Sequence, residues 1–444
     1  MKHNNIRQTL TAAILLLLTG LTTAHAQTNW TKDPTNPVLR RDTVIANLPN
    51  DIIAISDCWV MKLGTQYKMW YTCGGINYPT DTLLRARICY CESTDGVSWT
   101  KYAGNPVMDV SYTGGWDSIG VETVTIIIDS AAPATHRYKM WYAGATFNTY
   151  RYDIGYAYSP DGLSWTKHPG AVLQVGASNE WDNGFLEGPS VIKEGGVYKM
   201  WYCGYDATVD ASGTDGHANI GYATSTDGIN WTKYAGNPIV TTGANAWDSI
   251  LVQDPHVMKE NGIYHMWYGG NDVGTFGQKV GYAWSADGIN WVKSAANPVL
   301  TNGSPGQWDA NTASFPSVLN DNGLYKMWYT GKDVDPTPSN TNYYWEIGYA
   351  TAPITSVGEL SSNTDEVFVY PNPFVLSATI QVPEMLHNAT LTIYNSTGQQ
   401  VLQTANISGQ RIGVERDGLQ AGVYMWQLTQ GSYVISTGRV VVAD

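Results

Sequence analysis

Acidic residues recur at one kind of place in this chain of 444 residues. Asp57, Glu122, Glu187 and Asp254 each stand at the start of a short apolar run that leads into a Tyr-x-Met-Trp-Tyr pentamer. Their settings are Ser56-Asp57-Cys58-Trp59-Val60, Glu122-Thr123-Val124-Thr125-Ile126, Glu187-Gly188-Pro189-Ser190-Val191 and Gln253-Asp254-Pro255-His256-Val257. A fifth copy, Ser314-Phe315-Pro316-Ser317-Val318, carries no acid. Acids are poor strand formers, and packing does not require them there. Like charges gathered in a partly dry pocket raise one another's pKa. A carboxyl raised in this way becomes a proton donor near neutrality. The competing reading is that some of the four merely bond neighbouring backbone or hold an ion. Trp59, Asp254 and His256 are the candidates for substrate contact, although Trp59 suits a core position equally well.

The elements that must position these acids repeat along the chain. The pentamer recurs with its Trp at Trp70, Trp141, Trp201, Trp267 and Trp328, spaced 71, 60, 66 and 61 residues. After each comes Ile/Val-Gly-Tyr-Ala or a variant of it, and then Asp-Gly-x-x-Trp ending at Trp99, Trp165, Trp231 and Trp291. Several short strands per unit at this period are the signature of β-propeller blades. The fifth copy is split: after Ile347-Gly348-Tyr349-Ala350 no Asp-Gly-x-x-Trp follows. Its counterpart is Trp30-Thr31-Lys32 with Asn36-Pro37-Val38 at the other end of the chain, matching Trp231-Thr232-Lys233 with Asn237-Pro238-Ile239. The pattern predicts an all-β fold, a five-bladed propeller over 27–356 closed by the N-terminal strand, which removes exposed sheet edges. The acids then enter at one rim of the inner strands and point to a shared centre.

Other acids have structural readings. Asp95, Asp161, Asp227 and Asp287 lie in Ser-x-Asp-Gly turns, where turn chemistry accounts for them. Asp117, Asp182, Asp248 and Asp309 recur in Trp-Asp pairs six residues ahead of the inner-strand segments, with Asn50-Asp51 in that place in the first.

Residues 1–26 read as a secretory signal: Lys2 and Arg7, an apolar run Ala12–Leu18, and Ala24-His25-Ala26 before Gln27. Without it, 38 acids face 23 bases, a charge of −15, which argues against nucleic acid or an anionic membrane as partner. No transmembrane span is expected in the mature chain. Trp (18) and Tyr (29) far outnumber Phe (6). Blade packing explains most of them, and their mixed apolar and polar character also suits sugar rings. Five cysteines are too few for a disulfide scaffold. Cys73 with Cys89 or Cys91, on neighbouring strands, could pair in an oxidising compartment. No metal-ligand spacing is present, so no cofactor is expected, and whether a structural calcium sits in the central channel stays open.

After a linker at 357–366, rich in Ser, Asn and acids, the grammar changes. Ala378–Val382, Ala389–Tyr394 and Gly422–Leu428 read as short strands separated by turn signals, a small Ig-like β-sandwich. Tyr370-Pro371-Asn372-Pro373, Ile393-Tyr394-Asn395-Ser396-Thr397-Gly398-Gln399 and Leu419-Gln420-Ala421-Gly422-Val423-Tyr424 resemble, in that order, the C-terminal sorting domain of the type IX (Por) secretion system. The resemblance covers 367–444. It implies export through the periplasm, release or attachment at the outer surface, and the secretion machinery as a partner.

The propeller resembles the five-bladed glycoside hydrolases, particularly family 43 and its relatives. Glu187-Gly188-Pro189 on the third blade, Asp57 on the first and the Met-Trp-Tyr strands carry the likeness. It implies Asp57 as general base and Glu187 as general acid of an inverting glycosidase, with two carboxyls across the scissile bond. The sequence departs from the family in two places: Cys58 follows Asp57 where Pro is usual, and Thr125 occupies the column of the tuning Asp, leaving Glu122 as its stand-in. A glycan-binding propeller that has lost turnover is the alternative. A phosphorylase would need basic groups for phosphate, and the inner segments offer only Lys62, Lys193 and Lys259 at their far ends. The insertions Ile76–Arg85, Asp206–His217 and Asp333–Tyr344 are expected to shape the pocket.

Overall fold

The computed structural model describes residues 30–41, 54–76, 84–112, 114–146, 151–207, 217–243, 246–272, 277–333, 344–353, 368–395, 400–430 and 433–443. The signal segment, the linker, Asn50-Asp51 and most of the three insertions lie outside the described residues. The chain divides into two compact bodies, Met1–Ile354 and Thr355–Asp444. Among the described residues both are built from strands, with one 3-10 turn at Ala134–His136 in the first. No helix among the described residues is long and apolar enough to cross a membrane.

The first body is made of antiparallel repeats, each with three long strands and a two-residue fourth. Repeat one is β2 (Ala54–Leu63), β3 (Gln66–Ile76), β4 (Leu84–Ser93) and β5 (Thr100–Lys101). Repeat two is β6 (Gly120–Ile128), β7 (Tyr138–Ala145), β8 (Tyr152–Ser159) and β9 (Thr166–Lys167). Repeat three is β10 (Phe185–Glu194), β11 (Val197–Tyr205), β12 (Ala218–Ser225) and β13 (Thr232–Lys233). Repeat four is β14 (Leu251–Glu260), β15 (Ile263–Asn271), β16 (Lys279–Ser285) and β17 (Val292–Lys293). Repeat five joins β18 (Thr312–Asp321), β19 (Leu324–Asp333) and β20 (Tyr344–Pro353) to β1 (Thr31–Lys32) from the start of the chain.

The N-terminal segment repeats, bond for bond, what an internal fourth strand does. Lys32 pairs with Asp309 at 2.5 Å, as Lys167 pairs with Asp117, Lys233 with Asp182 and Lys293 with Asp248. Asn36 accepts the backbone N–H of Tyr349, as Asn237 accepts that of Tyr222. Trp30 meets Trp267 edge-on, as Trp231 meets Trp141. The first and fifth repeats adjoin, with Ala54 of β2 opposite Trp345 of β20.

Packing follows the pentamer. Its five tryptophans are fully buried, and the apolar clusters fill the seams between successive repeats, each drawing side chains from both neighbours. The indole N–H of four of them reaches into the next repeat's Asp-Gly turn: Trp70 to the Gly162 carbonyl, Trp141 to Gly228, Trp201 to Gly288, and Trp328 across to Gly96. Trp267 has no such partner among the described residues, because the matching turn would precede Trp30. The turn aspartates serve their own loops: Asp95 accepts from the N–H groups of Val97 and Ser98. Cys73 and Cys89 form a disulfide between adjacent strands.

The second body pairs β21 (Phe368–Tyr370), β22 (Ser377–Tyr394), β23 (Gln400–Glu415), β24 (Gly422–Gln430) and β25 (Tyr433–Val442) around its own core, including Phe374, Ile380, Leu391, Ile393, Trp426 and Leu428. The two strands expected at Ala378–Val382 and Ala389–Tyr394 are arms of the single β22, which continues across irregular register between Gln381 and Ala389.

Candidate active site

Every inner strand carries a β-bulge at the same place. Pairing slips between Ser56 and Trp59, Glu122 and Thr125, Glu187 and Ser190, Gln253 and His256, and Ser314 and Ser317. The first bulged residue has a left-handed backbone in each: Asp57, Thr123, Gly188, Asp254 and Phe315 lie at φ between 48° and 54°. Such conformations are uncommon outside glycine and cluster where structure is held for function. Neighbouring repeats hold one another in this geometry. The Asp57 N–H donates to Thr330, that of Thr123 to Thr72, and that of Gly188 to Thr123.

The bulges place the four acids in two adjacent columns rather than one. Glu122 and Glu187 stand in the column of Ser56, Gln253 and Ser314, just ahead of the bulge. Asp57 and Asp254 occupy the bulge itself, with Thr123, Gly188 and Phe315.

Asp57, Glu122 and Glu187 line one cavity of about 360 Å³. Its other walls include Arg85, Phe315 and Trp345, and Ala54, Gly74 and Ala86 leave room on the side of the first repeat. Burial pushes Asp57 up to about 6, against hydrogen bonds from Ser56 and Thr72 that favour its charged form. The Ser56 hydroxyl donates to Asp57 Oδ2 at 2.8 Å. Burial and then the charge of Asp57 push Glu122 up to about 7. Burial, and after it the charges of Glu122 and Glu187, hold the Tyr152 phenol well above its ordinary range, and Tyr152 hydrogen-bonds Glu122. Arg85 is the cation of the described lining. It donates to the Ser118 carbonyl, and its guanidinium stands 5.3 Å from the Tyr112 ring. Trp345 makes an edge contact with Phe315 at 6.1 Å and carries Lys332 4.5 Å from its ring.

Asp254, His256 and Trp59 do not line this cavity. They surround a second one of about 40 Å³, which also touches Asp57, Gly188 and Phe315. Asp254 lies against Gly188, where a Cβ would come within 2.6 Å of its Oδ1. Burial, followed by the charges of Asp57 and Glu122, holds its carboxyl well above the usual range. His256, past the bulge, turns under the site and its ring meets Trp59 at 4.7 Å. Burial lowers it to about 4, so it is neutral. The larger cavity is walled instead by Trp345, Phe315 and Arg85, with Tyr152 behind Glu122.

Arg85 ends an insertion that the sequence marks as shaping the pocket, whereas sequence reasoning did not single out Phe315, Trp345 or Tyr152. Tyr152 and Trp345 stand two residues before the Ile-Gly-Tyr-Ala element, where other repeats have Ala86, Ala218 and Gln278. A side chain that breaks a repeat immediately ahead of its most regular strand was the available signal. Lys62, Lys193 and Lys259 are tied into ion pairs with Asp321, Asp129 and Glu194. Among the described residues no three His, Cys, Asp or Glu side chains converge in a way that could hold a metal.

Residues 134–309 match the glycosyl hydrolases family 32 N-terminal domain, and residues 368–443 match the secretion system C-terminal sorting domain. An uncharacterized protein of Mycobacterium tuberculosis is 28% identical over 226 residues, 51% of this chain and 72% of its own length. A 1,2-beta-oligomannan phosphorylase of Thermoanaerobacter sp. is 27% identical over 110 residues, 23% of this chain and 36% of its own. Among solved structures, one comes from work on the family 130 mannoside phosphorylases, described as containing glycoside hydrolases that target beta-1,2 mannosidic linkages in Candida mannan. It superposes with a TM-score of 0.55 at 16% identity, covering 73% of this chain and 93% of that one. A thermostable family-43 glycoside hydrolase gives 0.50 at 16% identity, covering 71% and 89%. The likeness to family 43 expected from the sequence is therefore one of several at the level of fold, because a shared repeat does not single out one family. The C-terminal match indicates export to the cell surface or beyond it.

Proposed function

We propose that the chain is an exported glycoside hydrolase, with its five repeats closed into one five-bladed propeller and its reaction centre at the three-carboxylate cavity. The observation that carries this is the convergence of Asp57, Glu122 and Glu187, from three successive inner strands, on a cavity of about 360 Å³. Two of these carboxyls are raised toward neutrality, as acid–base catalysis requires. Asp57 takes a proton from water, and the oxygen of that water attacks the anomeric carbon. As the glycosidic C–O bond breaks, Glu187 gives its proton to the leaving oxygen. Glu122, protonated up to about pH 7, keeps the net charge of the trio down so that Glu187 holds its proton. The family 32 domain match and the glycosidase-class fold support this reading. Phe315 and Trp345 supply an apolar wall of the kind sugar rings pack against.

Phosphorolysis is the competing chemistry, raised by the oligomannan phosphorylase relative. The described lining offers a phosphate dianion one cation, Arg85, close to the charged Asp57, and the lysines of the inner strands are committed elsewhere. The full chain is incubated with plant and algal polysaccharides, aryl glycosides and β-1,2-linked mannans, with and without inorganic phosphate. Reducing sugar released without phosphate, and absent with Glu187→Gln, is the expected result. Turnover only with phosphate, giving a sugar phosphate, would replace hydrolysis by phosphorolysis. Binding without turnover would reduce the chain to a glycan-binding propeller.

A further inference from the structure

The smaller cavity has a chemistry of its own. Its lining residues carry buried polar atoms that the protein leaves short of partners: Trp59 Nε1 and His256 Nδ1 meet none, and the Asp254 carboxyl has only the neighbouring Gln253 amide. Asp254 is 7% exposed and His256 5%. The Gln253 amide beside Asp254 hydrogen-bonds its carboxyl, and it also accepts from the Tyr205 hydroxyl and donates to Gln278. Under-bonded buried polar atoms are costly, and a group of them around one small void calls for a shared partner. The volume of about 40 Å³ exceeds the roughly 10–15 Å³ that one water needs. A metal cation is a poor fit, because the Trp59 N–H points a positive dipole at it and no third metal-ligating side chain converges among the described residues. Water suits every group: it accepts from Trp59, donates to carboxyl oxygens, and serves either tautomer of a neutral imidazole.

We propose that this cavity is a buried hydration site, in which one or two waters connect Trp59, His256 and Asp254 to the carboxyl of Asp57. Asp57 belongs to the walls of both cavities, so a water held here donates to it from the side opposite the substrate. Trp59 is then a positioning residue: its N–H fixes the water, and the water favours the charged form of Asp57. Ser56 from β2 and Thr72 from β3 hydrogen-bond Asp57, the charges of Glu122 from β6 and Asp254 from β14 are coupled to it, and Arg85 from β4, Glu187 from β10 and His256 from β14 share its cavity walls. Trp59→Phe leaves all of these in place and keeps a ring against His256.

This role for Trp59 rests on the acid–base reading of Asp57, whereas occupancy of the cavity does not, and two measurements separate them. A crystal structure of the full chain at better than about 1.5 Å is expected to show water within hydrogen-bond distance of Trp59 Nε1 and His256 Nδ1. Dry density, or an ion with oxygen contacts of about 2.3–2.6 Å, overturns the hydration site. In kinetics, Trp59→Phe is expected to move the acid limb of kcat/KM upward by about half a pH unit or more with KM unchanged. An unmoved limb overturns the positioning role. Absence of turnover in the wild type would sink the reading of Asp57 as a base and the role of Trp59 with it, and would leave the crystallographic result to decide the water site.

Discussion

A carboxyl raised by burial and by neighbouring carboxylates makes stability depend on pH, and Asp254 is such a group. Its folded pKa lies well above the ordinary value near 3.8, so the folded chain binds a proton that the unfolded chain releases. The stability it leaves intact is fully present below the unfolded pKa and is lost as pH rises toward the folded one. Asp254→Asn does not titrate and escapes this loss. The variant is expected to melt about 2–4 °C higher than wild type at pH 8, with the gap closing toward pH 4, as thermal unfolding at a series of pH values will check. The sequence showed that acids enter the inner strands, but not that they divide between two cavities. That division comes from a left-handed residue in each strand, and no residue type announces it, since Asp57, Thr123, Gly188, Asp254 and Phe315 all adopt it.

The bulge is the element that aims the site. Gly188 at φ 54° faces Asp254, and a Cβ there would lie 2.8 Å from the Asp254 Cα and 2.6 Å from its Oδ1. Gly64 has a similar φ of 62° and open space around it. Gly64→Ala therefore measures the cost of the left-handed backbone alone, about 1–2 kcal/mol. Gly188→Ala adds the collision with the backbone of β14 and is expected to cost at least about 2 kcal/mol more, since close packing leaves the strand little room to give. Chemical denaturation of the two variants compares these costs, and equal losses would mean that the bulge columns are not packed as described. The turns were more legible than the bulges. Asp95, Asp161, Asp227 and Asp287 recur before a glycine, and their carboxylates cap their own loops. Trp-Asp pairs likewise read as structural, and Asp117, Asp182, Asp248 and Asp309 each join a tyrosine hydroxyl to a lysine. Trp345 in the wall of the larger cavity, and Tyr152 beside Glu122, could not be read because they stand in a column where the repeat is broken.

At the scale of the molecule, one repeated unit does two jobs. Its tryptophans and turn glycines lock neighbour to neighbour, including Trp328 to Gly96 between the last and first repeats. Its inner strands, freed from that work, vary at the positions where the acids stand. The partition of the chain into repeats and a following strand-rich segment was visible in the sequence, because periodicity and a change of grammar survive without structure. Reaction roles were not, because they depend on which carboxyl keeps its proton. The account stands on Asp57, Glu122 and Glu187 acting as one set, and the most direct measurement is the pH–rate profile of wild type beside Asp57→Asn, Glu122→Gln and Glu187→Gln on a cleaved glycan. With Asp57 charged above about 6 and Glu122 protonated below about 7, wild-type activity should rise and fall around that interval. Asp57→Asn and Glu187→Gln should each lose at least about 100-fold. Glu122→Gln, which mimics the protonated acid, should keep turnover within about tenfold and lose the alkaline limb near 7. Full activity with an unchanged profile in all three variants would place the chemistry elsewhere and contradict the account.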